Sequence, residues 1–150
     1  RSEWMDVEWG LIETIAQSAT LAALLPETPQ RVSHETPSGR ACRTPHITVQ
    51  AIPGQAATRT DCWTLHRPLI RIAVHGGTHG EPDLRRQTRH LIDAISDLIR
   101  GLPGQTLPAP AGQLAPRIVA ANPTTSPAWV PTDIDRSCWE QFHEIVFRQA

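Results

Sequence analysis

Residues His75 to Leu91, "HGGTHGEPDLRRQTRHL", bring three histidines, two carboxylates, three arginines and three glycines into one short passage. Imidazole nitrogens and carboxylates are the usual ligands of a catalytic zinc, so His75, His79 and Glu81 are the first candidates for chemistry, with a small metal-dependent hydrolase as the activity they would serve. In the helical H-E-x-x-H motif two histidines four apart share one helix face, with a glutamate between them as the base. His75 and His79 have that spacing, but Gly76, Gly77 and Gly80 make the segment a loop, and no glutamate lies between the histidines. Glu81, with His66 or His90, could complete a ligand set, yet nothing in the spacing demands it. The alternative is surface histidines, and the expectation is no metal, no cofactor and no catalytic residue.

The "HGG" at 75–77 also resembles an esterase oxyanion loop, but that chemistry needs a nucleophile on a G-x-S-x-G turn, which the chain does not contain. The glycines are more simply read as positions of positive φ where a strand turns into a helix. Composition removes further classes. All fourteen basic residues are Arg, so a phosphate-loop lysine and a Schiff-base lysine are both excluded. A formal net charge of -1 offers no bulk electrostatic footprint for duplex nucleic acid. Cys42, Cys62 and Cys138 are odd in number and widely spaced, which argues against a disulfide framework or zinc ribbon and for reduced thiols inside a cell. No apolar run approaches the roughly 18 residues of a membrane span, and "RSEWMDVEWG" lacks a signal-peptide profile.

The elements that must position these residues follow from periodicity. Leu11, Ile12, Ile15, Ala19 and Ala22 repeat at helical spacing, with Asp6 as an N-cap and Pro26 as a stop, which predicts a helix from about Asp6 to Leu25. "HITVQAI" alternates as a half-buried strand, and the polar "PGQAATRTD" after it reads as a hairpin loop. In "CWTLHRPLIRIAVHG" Ile70, Ile72 and Val74 oppose Leu69, Arg71, Ala73 and His75, and Pro68 implies an edge, a bulge or the strand start. Glu81-Pro82-Asp83 opens a second helix with Leu84, Leu91, Ile92, Ile95, Leu98 and Leu102 as its apolar stripe and Pro103-Gly104 as its end. "RIVAA" and "CWEQFHEIVFRQ" read as two late strands. At 150 residues and 39% hydrophobic, this amounts to one domain over 1–150.

Three connections, at 26–45, 103–116 and 122–135, exceed the roughly 12 residues beyond which structureless loops are uncommon in compact domains. Ordering them costs roughly 1–2 kcal/mol per residue, which suggests that neighbouring subunits or partners hold them; the alternative is that they are mobile. Arg85, Arg86 and Arg89 crowd the first turns of the second helix, where the dipole disfavours cations, and only Arg89 has an acid, Asp93, one turn on. They form either a solvated face or an arginine-rich contact surface. Trp63 and Trp139 read as core. Trp4 and Trp129, in segments unsuited to the core, read as interface anchors, and Arg59 in the 53–62 hairpin joins the contact candidates.

The order of elements, an amphipathic helix ending "AALLPETPQRV", the strand "TPHITVQAI", and "LIRIAVHGGTHGEPDLRRQTRHLIDAISDLI" followed by a late strand, resembles the tail-terminator (tail-completion) family of long-tailed bacteriophages and phage-like particles. The resemblance runs from about Val7 to Phe147 as a pattern of apolar positions without a signature motif. It departs in the length of the connection between the second helix and the last strand. It implies an α+β subunit, with a small mixed, mostly antiparallel sheet, two main helices on one side and long Pro-rich loops. It further implies a hexameric ring of identical subunits on the head-proximal end of the tail tube, contacting the tail tube protein below and a head-closure or neck protein above. The setting would be the virion tail or neck, assembled in the host bacterial cytoplasm, with no membrane and no sequence-specific nucleic acid, although genomic DNA would pass through the ring. The rival within the structural class is another neck protein, a head-closure or connector component.

Overall fold

The computed structural model describes residues 4–34, 45–59, 64–76, 82–131 and 137–149, through the backbone alone at 4–6, 30, 53–59 and 82–84. Helices α1 (Trp4–Ala16) and α2 (Ala19–Leu24) lead through a 3-10 turn (Thr28–Gln30) to β1 (Val32–Ser33), β2 (His46–Arg59) and β3 (Thr64–His75). Helix α3 (Pro82–Arg100) follows, then β4 (Pro116–Pro123), β5 (Ala128–Val130) and β6 (Cys138–Gln149). The strands form one six-stranded sheet in the order β1-β2-β3-β6-β4, with β5 also paired to β6. Among the described residues only the β1–β2 pair is parallel. The fold is a small α+β fold with a mixed, mostly antiparallel sheet, as the sequence leads one to expect.

Alternation decides which face of the sheet is covered. Ile47 and Val49 of β2, Ile70, Ile72 and Val74 of β3, Ile118 and Ala121 of β4, and Ile145 and Phe147 of β6 all fall in one buried apolar cluster. Val7, Leu11 and Ile15 of α1 and Leu91, Ile92, Ile95 and Ile99 of α3 complete that cluster, so both main helices lie on the same side. Each such side chain taken out of water contributes about 1.5–3 kcal/mol. β6, last in sequence, is inserted between β3 and β4. It runs antiparallel to both, so β3 and β4 run parallel to each other and α3 returns the chain between them.

Four expectations are corrected. The first helix is broken at Gln17-Ser18, because the Ser18 hydroxyl accepts the Leu21 amide at 3.3 Å as the N-cap of α2. It also starts at Trp4, which puts Asp6 inside the first turn. The stretch 53–59, read as hairpin loop, is strand, because two register shifts, Ile52/Gln55 and Gln55/Thr58, absorb extra residues as bulges. Pro68 faces the first of these shifts in a strand flanked on both sides, which is the bulge alternative. Trp129 lies in β5 and not in a loop.

The start of the connection after α3 is tied to β4 by main-chain hydrogen bonds. The amide of Gly104 donates to Ile118 O at 2.8 Å, that of Ile118 to Gln105 O at 2.9 Å, and that of Leu107 to Pro116 O at 2.8 Å, so 104–107 borders β4. Leu107 is then buried against α1, where a Cβ at Gly10 would stand 2.9 Å from Leu107 Cβ and from Pro108 O; any larger residue would push the helix off the loop. Among the described residues no helix is long and apolar enough to cross a membrane.

Candidate functional site

Where α3 begins, two strands and the helix converge on a pair of indoles. β5 and β6 place Trp129 directly opposite Trp139, with ring centroids 5.5 Å apart and the planes at 61°, an edge-to-face contact. Arg85 and Arg89, one turn apart on α3, lie over these rings. The Arg85 guanidinium carbon is 4.9 Å from the Trp129 centroid and 5.6 Å from that of Trp139, and the Arg89 carbon is 4.9 Å from Trp139. Trp139 Nε1 donates to Arg85 O at 2.9 Å, which fixes the indole against the helix. The Arg89 Nε also donates to both carboxylate oxygens of Asp93 at 3.2 Å.

This arrangement explains why arginines sit where the helix dipole disfavours them. Each guanidinium on an indole face gains about 0.5–1 kcal/mol at an exposed site, as much as the dipole takes away. An arginine whose face rests on a ring keeps its in-plane N–H groups available for a carboxylate. Arg85 and Arg86 are exposed, while Trp129, Trp139 and Arg89 are half-buried. The strand-to-helix corner is packed into the same cluster: a Cβ at Gly76 would come within 3.2 Å of Thr88 Cγ2 and 3.5 Å of Trp129. A side chain at Gly76 would press on Thr88, and Gly76 has no positive φ, contrary to the expectation from sequence.

Of the sequence candidates, Arg85, Arg89 and Trp129 are brought together, and Arg86 stands beside them on α3. Trp4 opens α1 and Arg59 ends β2, opposite Thr64, and their side chains lie outside the described residues. Trp139, read as core, packs against the core with one edge and carries both arginines with the rest. Its place in the cluster was within reach of sequence only if β5 had been recognised.

On the sheet face away from the helices, His46, His75 and Cys138 stand in one row across β2, β3 and β6, all buried. His46 Nε2 shares a 2.8 Å hydrogen bond with Ser33 Oγ, and His75 Nε2 a 3.4 Å contact with Thr48 Oγ1. Burial lowers the His46 pKa, helped by His75 and Arg31. Burial raises that of the Cys138 thiol, against the pull of Arg71 and with the push of Glu140, which makes the thiol a poor nucleophile. Among the described residues no group of three His, Cys, Asp or Glu could hold a metal ion. His79 and Glu81, the other two residues of the metal reading, lie outside the described residues.

A second polar group lies under α3. Gln141 and His143 share the helix-facing side of β6 with Trp139, and Ser96 sits on α3 between the turns that carry Arg89 and Arg100. His143 is fully buried, and neither ring nitrogen has a hydrogen-bond partner among the described residues; the same is true of Ser96 Oγ and Gln141 Oε1. The Gln141 amide does donate to Thr125 O at 3.0 Å. Burial, with the positive Arg100 nearby, lowers the His143 pKa to about 4.

No protein-family profile matches the chain, and no curated protein does. Among solved structures, the chain is similar to one in a "Virion of native gene transfer agent (GTA) particle", at 16% identity and a TM-score of 0.57, with 96% of each chain covered. A second solved chain aligns at 16% identity and a TM-score of 0.43 over 91% of this chain and 94% of its own. At these identities the first likeness establishes a shared fold, end to end.

Proposed function

We propose that this chain is a structural protein of a phage-like virion and, within it, the tail terminator: a ring, hexameric by family resemblance, that sits on the head-proximal end of the tail tube, stops its growth and joins it to the neck. The observation that carries this reading is the fold shared with a chain of a gene transfer agent particle over 96% of both chains. The sequence pattern that resembles the tail-terminator family supports the finer assignment. The reading needs no catalysis, metal or cofactor. It needs surfaces that hold partners, and the Arg85–Trp129–Trp139 cluster is suited to that: a half-buried aromatic platform beside an exposed arginine is the chemistry by which interfaces anchor an acidic partner.

The test is polymerisation of the cognate tail-tube protein followed by light scattering. Adding this protein at a small fraction of the tube-protein concentration is expected to arrest elongation and leave short, uniform tubes. Arg85→Glu should weaken the arrest about tenfold or more if the cluster faces the tube or the neck, since like charges across an interface cost several kcal/mol. Tubes that elongate unchanged would overturn the terminator assignment, and binding to the portal side instead would move the chain to a head-closure or connector role.

A further inference from the structure

β4 and β5 flank the same edge of β6 but leave a gap between them. The last β4 pair sets Pro123 opposite His143, and the first β5 pair sets Ala128 opposite Glu140, so Gln141 and Phe142 have no strand on that side among the described residues. The exposed segment 124–126 crosses the gap instead. It is tied to β6 at three points: Thr124 N donates to Phe142 O at 2.9 Å, Phe142 N to Thr125 Oγ1 at 3.0 Å, and Gln141 Nε2 to Thr125 O at 3.0 Å.

Behind this gap, on the helix-facing side, three polar side chains meet in an otherwise apolar seam. Arg85, Arg89, Ser96 and Arg100 follow one line along α3 at helical spacing. Arg89 lies over Trp139, and Arg100 is close enough to His143 to oppose its charging, so Ser96, between them, stands over the stretch from Gln141 to His143. Ser96 is 5% exposed, Gln141 3% and His143 0%. Four of their atoms lack a hydrogen-bond partner among the described residues: Ser96 Oγ, Gln141 Oε1 and both ring nitrogens of His143. Buried polar atoms in folded proteins are nearly all paired, because a bare one forfeits its hydration without return. Four in one seam call for a partner from outside the chain.

The chemistry of the four atoms defines that partner. Gln141 Oε1 can only accept, and the bond from the same amide to Thr125 O fixes which way it points. A neutral imidazole offers one donor and one acceptor, and the Ser96 hydroxyl can act as either. A cation is disfavoured beside Arg100, and an anion would meet the bare oxygen of Gln141. A small neutral molecule that both donates and accepts suits all four atoms. We propose that about one or two ordered waters, entering at the gap between β4 and β5, bridge Ser96 Oγ, Gln141 Oε1 and the His143 ring. Each such water makes about three hydrogen bonds, which matches the atoms to be satisfied. Water brings no counter-charge for an imidazolium, so the ring stays neutral beside Arg100.

Two NMR measurements on the full chain test this: cross-relaxation between water and carbon-bound protons, and relaxation dispersion of the solvent oxygen, which counts long-lived waters and ignores exchanging hydroxyl protons. In the wild type, the carbon-bound ring protons of His143 and the Ser96 Hβ protons should both show cross-peaks to water with the sign of a bound molecule. Ser96→Ala removes one hydrogen-bonding group and should shorten the residence time about fivefold. Ser96→Ala combined with His143→Leu leaves Gln141 Oε1 alone and should lower the count of long-lived waters by about one or two per chain. Thermal melts show which variants stay folded, and Ser96→Ala, the smallest change, carries the test by itself if the double variant does not. Three results would overturn the proposal: no water cross-peaks at His143 and Ser96 in the wild type, a residence time unchanged in Ser96→Ala, or a folded double variant with the wild-type count.

Discussion

Trp139 and His143 are two rings on the same face of the same strand, four residues apart, under the same helix, and their surroundings are opposite. Trp139 has a partner for its N–H at Arg85 O and a guanidinium over its ring from each of two helical turns. His143 has none for either nitrogen among the described residues and sits near a positive Arg100. A polar ring at a helix–sheet seam stabilises the fold only where the helix presents complementary groups to it. Where it does not, the ring remains neutral and becomes a point of weakness.

The largest effect expected from this contrast is on acid stability. Unfolded, His143 takes up a proton at its ordinary value of 6.5; folded, it does so only at about 4. Between those values the unfolded state binds more protons, so stability falls as pH drops through that window and levels off below it. Two and a half units at 1.36 kcal/mol each correspond to roughly 3 kcal/mol. His46, also depressed, acts in the same direction. Urea melts at pH 7 and pH 4 should show the loss, and His143→Leu should retain more stability at pH 4 than wild type while matching it within about 1.5 kcal/mol at pH 7. A wild type as stable at pH 4 as at pH 7 would mean that His143 finds partners after all.

Next is the partnered ring. Trp139→Phe keeps an aromatic surface but strands Arg85 O without its indole donor and weakens two cation–π contacts, an expected loss of about 1–2 kcal/mol by urea denaturation. Trp129→Leu removes one of the two rings beside Arg85 and should cost about 0.5–1 kcal/mol, with a matching rise in Arg85 side-chain mobility by NMR relaxation. Smallest is Asp93→Asn, which loosens a half-exposed ion pair to Arg89 and should cost about 0.3–0.5 kcal/mol, a difference that salt near 1 M should erase. Equal losses for Trp139→Phe and Asp93→Asn would remove the distinction between a ring held by the helix and one merely lying beside it.

The long periodic elements were legible in the sequence. α3 could be placed because its apolar stripe is bounded by Pro82 and by Pro103-Gly104, and the inner part of β3 because Ile70, Ile72 and Val74 alternate cleanly. The break at Ser18 was not legible, since apolar spacing continues across it and only the hydroxyl cap shows where the turn tightens. Pro53 and Gly54 hid the outer half of β2, because a bulge and a loop use the same residues. β5 is three residues long, too short for alternation to register. With it went the site: Trp129 and Arg85 are 44 positions apart, and no local pattern says that one ring will lie on the other. Arg85, Arg89 and Trp129 could be singled out one at a time as misfits, a cation at the wrong helix end and an indole among prolines. Their meeting depends on β6 pairing with β5.

The most direct test of the terminator account is the position of the protein on assembled tubes, seen by electron microscopy with a gold label on this chain. The account predicts label at one end of each tube, with a native mass from light scattering that corresponds to a closed ring of copies. Label along the tube wall, or none on tubes at all, would contradict it.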